Sequence, residues 1–169
     1  MAVSELAREE FADVMATHCA GVAVATCSRA GEHGRVPLGL ALTSLSAYTA
    51  EPPSVLLSID VSSRSHDPLL EAELIGVHLL AHDQADGARV FSSKSDDKFG
   101  SLEWSWDGEV PRLGGVLAYM RCRPDARFGH HDHTILVATV EAAAVEREEL
   151  PLVYLDRRLE WHLVERSAA

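Results

Sequence analysis

Six apolar runs, at 22–28, 36–43, 54–61, 74–81, 116–127 and 134–145, follow one another through connections that are mostly turn-like. A doubly wound parallel sheet needs a regular alternation of strand and helix, and this chain does not have it. Strands joined directly by turns pair antiparallel, and a mainly β chain removes its exposed edges by curling the sheet. The order of the runs therefore predicts a mainly antiparallel β-barrel with few helices. A chain of 169 residues fits a single domain over 1–169 and is long enough for a real hydrophobic core.

The connections predict the rest. Residues 4–18 read as a helix with Ser4 as N-cap and Leu6, Phe11, Val14 and Met15 near one face. The run 22–28 is apolar and partly β-branched but alternates poorly, which suits a strand buried on both faces. RAGEHGR at 29–35 reads as a hairpin turn, and 43–53 as a loop. A short helix is expected from His66 to about Glu73, with Pro68 in its first turn, and another over 83–91 with Asp83 as N-cap. Residues 92–115, with Gly100, Gly108, Pro111, Gly114 and Gly115, lack periodicity and read as a long, lid-like segment. FGHHDH at 128–133 separates the last two long strands, and apolar pieces at 151–155 and 159–164 close the domain.

A net charge of −11 and a pI near 5.2 give no general attraction to nucleic acid or anionic lipid, although a locally basic pocket is compatible with an acidic shell. No apolar run reaches the roughly 18–20 residues needed to cross a bilayer, and the charged start MAVSELAREEFADVM has no apolar core of a secretory signal. Cys19, Cys27 and Cys122 are odd in number and lie in apolar contexts. A reduced, cytoplasmic protein with buried thiols is the expectation, and without a CxxC pair no metal site is expected.

Four stretches carry candidate chemistry. In GLALTSLSAYTAEPP at 39–53, hydroxyls crowd a loop entered by an apolar run, and SSRS at 62–65 follows the next strand. Hydroxyls, loop N–H groups and Arg64 suit phosphate and carbonyl oxygens, while Ser, Thr and Pro also simply mark loops. KSDDKFG at 94–100 places Lys94 and Lys98 for an anion and Phe99 for an apolar ring, or makes a solvated turn. In FGHHDHT at 128–134, His131 and His133 share a face if the segment is extended, with a metal, a substrate contact or a solvated loop as open readings. Trp104 and Trp106, interleaved with acids, suit a cover or subunit contact. There is no GxSxG, P-loop or GxGxxG.

In order and spacing these pieces resemble the flavin reductase-like family of FMN-binding split barrels, over about residues 10–160. Gly21-Val22-Ala23-Val24-Ala25-Thr26 is similar to the family's first strand, and GLALTSLSAYTAEPP to its flavin loop. Ser62, Ser63, Arg64 and Ser65 match its serine-rich turn. Phe91-Ser92 with Asp97-Lys98-Phe99, Trp106 to Gly115, His131-Asp132-His133-Thr134 and Pro151-Leu152-Val153-Tyr154 match later segments in order. The chain departs from the pattern at Leu45, Ala47, His78 and His131.

The resemblance implies an antiparallel split β-barrel with Greek-key connections and an NAD(P)H-dependent flavin reductase. Such an enzyme passes hydride from nicotinamide C4 to N5 of FMN or FAD, and supplies reduced flavin to a flavin-dependent monooxygenase partner. It implies a homodimer in the cytoplasm, with NADH or NADPH as co-substrate and no nucleic-acid or membrane partner. Backbone N–H groups around Ser44 to Ala47, in the set Thr43, Ser44, Leu45, Ser46 and Ala47, are expected at the flavin ring. Ser62, Arg64 and Ser65 with Lys98 are expected at the phosphate, and Ser92 in the same site. His133, as the catalytic candidate, and Phe99 are expected on the nicotinamide side. The alternatives are a non-enzymatic flavin- or heme-binding split barrel and a flavin-dependent oxidase of the same fold.

Overall fold

The computed structural model describes residues 5–159 and 161. Helix α1 (Glu5–Ala16) leads through β1 (Ala20–Gly21) into the hairpin β2 (Ala23–Gly31) and β3 (Gly34–Leu42). Then come β4 (Ser46–Ala50), β5 (Pro53–Asp60), α2 (His66–Glu71) and β6 (Ile75–Leu79). A 3-10 turn (His82–Gln84) opens α3 (Ala85–Ser92), and a small hairpin follows, β7 (Trp104–Asp107) with β8 (Val110–Leu113). The long hairpin β9 (Ala118–His130) and β10 (His133–Val145) and the short β11 (Val153–Tyr154) complete the chain.

The main sheet has seven strands in the order β3-β2-β6-β9-β10-β5-β4, and every pairing in it is antiparallel. The expected mainly β, antiparallel architecture is therefore present. Its two edges, β3 and β4, are successive in the chain and joined only by residues 43–45. The sheet must therefore curl until its edges face each other, and the split in the barrel lies where 43–45 crosses. Ser44 straps that crossing: its Oγ donates to the Ser58 carbonyl (2.9 Å) and accepts from the Ser58 N–H (3.1 Å).

Strand β2 explains its own irregular pattern. Ala23, Ala25 and Cys27 belong to one buried cluster with Leu57, Ile59, Val77 and Leu136. The alternate Val22 and Val24 belong to a second, with Phe91, Phe99, Leu113 and Tyr119. Both faces are covered from Val22 to Cys27, so apolar residues fill this stretch except for Thr26, whose hydroxyl donates to the Pro111 carbonyl (2.6 Å).

Several local expectations are corrected. The loop 43–53 contains β4, which pairs with β5. The segment 92–115 is no structureless lid: Trp104–Asp107 pairs with Val110–Leu113. The turns at 29–35 and 128–133 shrink to two residues each, because β2, β3, β9 and β10 continue into them. Asp83 does not cap α3, whose N-cap is Gln84; its carboxylate binds Arg147 at 3.0 and 3.2 Å. Among the cysteines, Cys27 and Cys122 are buried but Cys19 is exposed. Phe11, Val14 and Met15, read as lying near one face of α1, are 66%, 66% and 45% exposed. The expected N-cap Ser4, the side chain of Leu6 and most of the piece 159–164 lie outside the described residues.

Candidate functional site

A cavity of about 1100 Å³ opens between β3, the loop from β5 to α2, and the end of α3 with the segment after it. Its floor is Leu38, Gly39 and Leu40 on β3, with Phe91 and Phe99 beside them. Its rim carries the hydroxyls of Ser62, Ser63, Ser65, Ser92, Ser93 and Ser95.

Gly39 joins the parts. A Cβ there would stand 2.5 Å from the Phe91 ring, so only a bare Cα lets α3 lie this close to β3. The Gly39 carbonyl accepts from Ser65 Oγ (3.1 Å) and from Lys98 Nζ (3.3 Å), and Lys98 also donates to the Phe91 carbonyl (2.8 Å). Burial, and to a lesser extent the nearby Arg64 charge, lowers the Lys98 pKa. Arg64 pairs with Asp96 and donates to the carbonyls of Lys94 (2.6 Å) and Ser95 (2.8 Å), which latches the segment after α3 to the loop after β5. Behind the floor, Phe99 meets both Phe91 and Trp104 edge-on, each at 5.1 Å between ring centres.

Asp60, at the end of β5, accepts from the Ser62 N–H at 2.7 Å. Hydrogen bonding by Ser62 holds its carboxyl below the usual carboxylate range, with the His133 charge as a smaller cause. His133 does not line the cavity. It is the direct cross-strand partner of Asp60, which does, and its Nδ1 lies 2.9 Å from an Asp132 carboxylate oxygen. His131 sits in the turn with φ of 51° and lies against His130, with ring centres 4.0 Å apart, so it is not in the extended segment that would align it with His133. Among the described residues no group of three His, Cys, Asp or Glu is arranged to hold a metal ion.

A second knot holds the wall behind this site. His78 is fully buried, with Nδ1 3.1 Å from the Val24 carbonyl and Nε2 3.1 Å from the Leu113 N–H. Those partners require a neutral ring with its proton on Nδ1. Burial pushes its pKa down to about 4, against a smaller opposing effect of the Val24 hydrogen bond.

The structure thus brings together Ser62, Arg64, Ser65, Ser92, Lys98 and Phe99 around one cavity. Thr43, Ser44, Leu45, Ser46 and Ala47 do not line it. Leu45 packs on the core inside the curled sheet, while Thr43, Ser46 and Ala47 are exposed at the split. Gly39 and Leu40 open the candidate stretch 39–53 without an assigned role, and sequence reasoning missed Leu38, Asp60 and Arg29 as lining residues. A strand residue, whether apolar, acidic or basic, carries no mark of what lies beside it.

Charge gives the cavity a character the chain as a whole does not have. Four cations line it, Arg29, Arg64, Lys94 and Lys98, against two carboxylates, Asp60 and Asp96, in a chain of net charge −11. Hydroxyls and cations at the rim with an apolar floor fit a ligand that has a flat, largely apolar ring system and a phosphate tail.

Comparison with known proteins points the same way. The family model described as a flavin reductase like domain matches residues 15–162. The actinorhodin polyketide dimerase of Streptomyces coelicolor is 33% identical over 147 residues, 86% of this chain and 81% of that protein. The NADH:FMN oxidoreductase of Rhodococcus erythropolis is 31% identical over 151 residues, 86% of this chain and 77% of that one. The styrene monooxygenase flavin reductase of Pseudomonas putida S12 superposes with a TM-score of 0.77 at 28% identity, over 88% of this chain and 94% of that one.

Proposed function

Because the chain belongs to the flavin reductase-like family, we propose that it works as an NAD(P)H-dependent flavin reductase, a single split-barrel domain over 1–169 in the cytoplasm. Bound flavin supplies the hydride-accepting ring. FMN or FAD is that flavin, NADH or NADPH the hydride donor, and a flavin-dependent monooxygenase the consumer of the reduced product. The observation that carries this reading is the basic, hydroxyl-rimmed cavity of about 1100 Å³ inside an acidic chain.

The residues divide the work by position. The Ser62 hydroxyl donates to the phosphate, with Ser65 and Ser92 shaping the site while their own hydroxyls donate to the Gly39 and Ala88 carbonyls; Arg64 and Lys98 supply positive charge and fix the two segments that carry these serines. The apolar floor, with Phe99 behind it, excludes water from the ring. Residues 43–47 stand outside the cavity at the split, with Ser46 and Ala47 paired to β5, and so act on the ring only through the strand β3 that they follow. No acid or base is needed for a hydride step, so the chain contributes position and field. His133, across from Asp60, stands on the nicotinamide side. A homodimer is supported by the cross-strand pair Phe128 and Ile135, which are 59% and 40% exposed on the long hairpin.

The first test mixes purified protein with FMN or FAD and follows oxidation of NADH and NADPH. Flavin-dependent oxidation of either supports the proposal; a tightly yellow protein that leaves both untouched indicates a carrier and overturns it. His133→Ala is expected to raise the KM for the nicotinamide about tenfold with flavin affinity changed less than about twofold, since one polar contact from beside the cavity is worth roughly 1–1.5 kcal/mol. An equal loss of both would remove His133 from the nicotinamide side. Arg64→Ala is expected to weaken FMN by about tenfold and riboflavin by much less, because only FMN carries the phosphate. Equal weakening would mean that Arg64 acts only by latching residues 94–96.

A further inference from the structure

The four cations of the cavity are not equivalent. Arg64 spends its guanidinium on Asp96 and two carbonyls, and Lys98 its ammonium on the carbonyls of Gly39 and Phe91. Arg29 and Lys94 also line the cavity, yet among the described residues neither side-chain cation has a hydrogen-bond or ion-pair partner. Their places in the fold differ: Arg29 lies along the strand from the serine loop, and Lys94 lies beside that loop, its carbonyl held by Arg64. Arg29 pairs across β2 and β3 with Val36, three residues along β3 from Gly39, whose carbonyl is held by Ser65. At 3.2–3.4 Å per strand residue this is about 10 Å of strand. Lys94 projects from the segment that Arg64 pins across the loop.

A ligand with one phosphate seated at Ser62–Ser65 leaves the Arg29 end of the cavity unmatched. Two uncommitted cations, Arg29 at that end and Lys94 beside the serine loop, suit a further anionic group adjoining the first on the same ligand. Resting on the reductase reading above, we propose that Arg29 and Lys94 bind the second, adenylate-side phosphate of FAD, and that they make this chain prefer FAD to FMN. The same chemistry could meet the additional 2′-phosphate of NADPH, and the experiment separates the two.

Binding of FAD, FMN and riboflavin is measured by quenching of flavin fluorescence on the wild type, Arg29→Gln, Lys94→Gln and the double variant. KM is measured on the same proteins for NADH and NADPH. The double variant is expected to lose about tenfold in FAD affinity, each single variant about threefold, with FMN and riboflavin held within about twofold, as for charge-assisted contacts that are partly exposed. Rising salt should weaken FAD more than FMN on the wild type, and this difference should shrink in the double variant. Equal loss of FAD and FMN, or no loss of either, overturns the assignment. Loss confined to NADPH overturns it in favour of the nicotinamide 2′-phosphate. A wild type that binds none of the three flavins instead overturns the reductase reading itself.

Discussion

Replacing His78 with alanine is expected to cost about 3–5 kcal/mol of folding stability, the largest effect of any single substitution considered. The ring is fully buried and satisfies two main-chain groups, the Val24 carbonyl and the Leu113 N–H. Alanine leaves both without partners at roughly 1–3 kcal/mol each, and leaves space where the ring lay against Tyr119, 5.0 Å away between ring centres. The same knot sets a pH dependence. A histidine whose pKa falls from 6.5 to about 4 on folding stabilises the native state only while the unfolded chain's histidine is also neutral. Its contribution is complete above about pH 6.5 and is lost as pH falls toward 4, by about 3 kcal/mol in all.

His78→Asn, whose amide can both donate and accept, provides the check. It should recover part of the stability lost in alanine, and its urea midpoint should fall less than the wild type's between about pH 7 and pH 4.5. An identical acid loss in the asparagine variant would show that carboxylates, not His78, set the acid limit.

The second large effect belongs to Gly39. Its substitution by alanine would put a methyl carbon 2.5 Å and 2.8 Å from two carbons of the Phe91 ring, which is 1% exposed and cannot swing into solvent. Overpacking of this kind costs about 1–3 kcal/mol. Phe91 lies in the wall of the large cavity, so the ring's retreat also reshapes the floor. Gly39→Ala is therefore expected to lower Tm and to weaken flavin by about tenfold or more, read from thermal melts and flavin fluorescence. Gly87→Ala on α3 is the matched control. Its nearest neighbour beyond the helix's own backbone would be Leu102 at 3.7 Å, and alanine there should stabilise the helix by up to about 1 kcal/mol. Unchanged flavin affinity in Gly39→Ala would take β3 out of the flavin wall.

How much of this was legible in the sequence follows from what kind of information each feature carries. The six long strands were, because apolar, β-branched runs bounded by turn residues are local facts. Even the poor alternation of 22–28 was informative, since Val22 and Val24 face one cluster while Ala23, Ala25 and Cys27 face the other. Strand β4 was hidden because Ser46–Ala50 is mostly exposed and hydroxyl-rich, and is held as a strand by its pairing with β5. Hairpin β7–β8 was hidden by short strands and the glycines around them.

At the site, motif order led to Ser62, Arg64, Ser65, Ser92 and Lys98, which the fold places around one cavity. The contribution of Gly39 was out of reach: it depends on a ring 52 positions later in the chain arriving against a bare Cα. The same is true of Arg29, an ordinary strand arginine until β3 and the latched segment meet beside it.

The pairing of His133 with Asp60 acts as a ruler. From His133 to Thr139, β10 meets β5 residue for residue. The irregularities in β10 against β9 begin only beyond Val137, away from this end. One residue added to or removed from the two-residue turn at 131–132 has little room to be absorbed before position 133. A slip of β10 by one would set Asp132 or Thr134 opposite Asp60 and turn Leu136 and Ala138, both completely buried, toward the other face. Chain length at this turn is thus part of the specification of the site. Length changes should be far better tolerated at 146–150, beyond the far end of β10, than at 131–132.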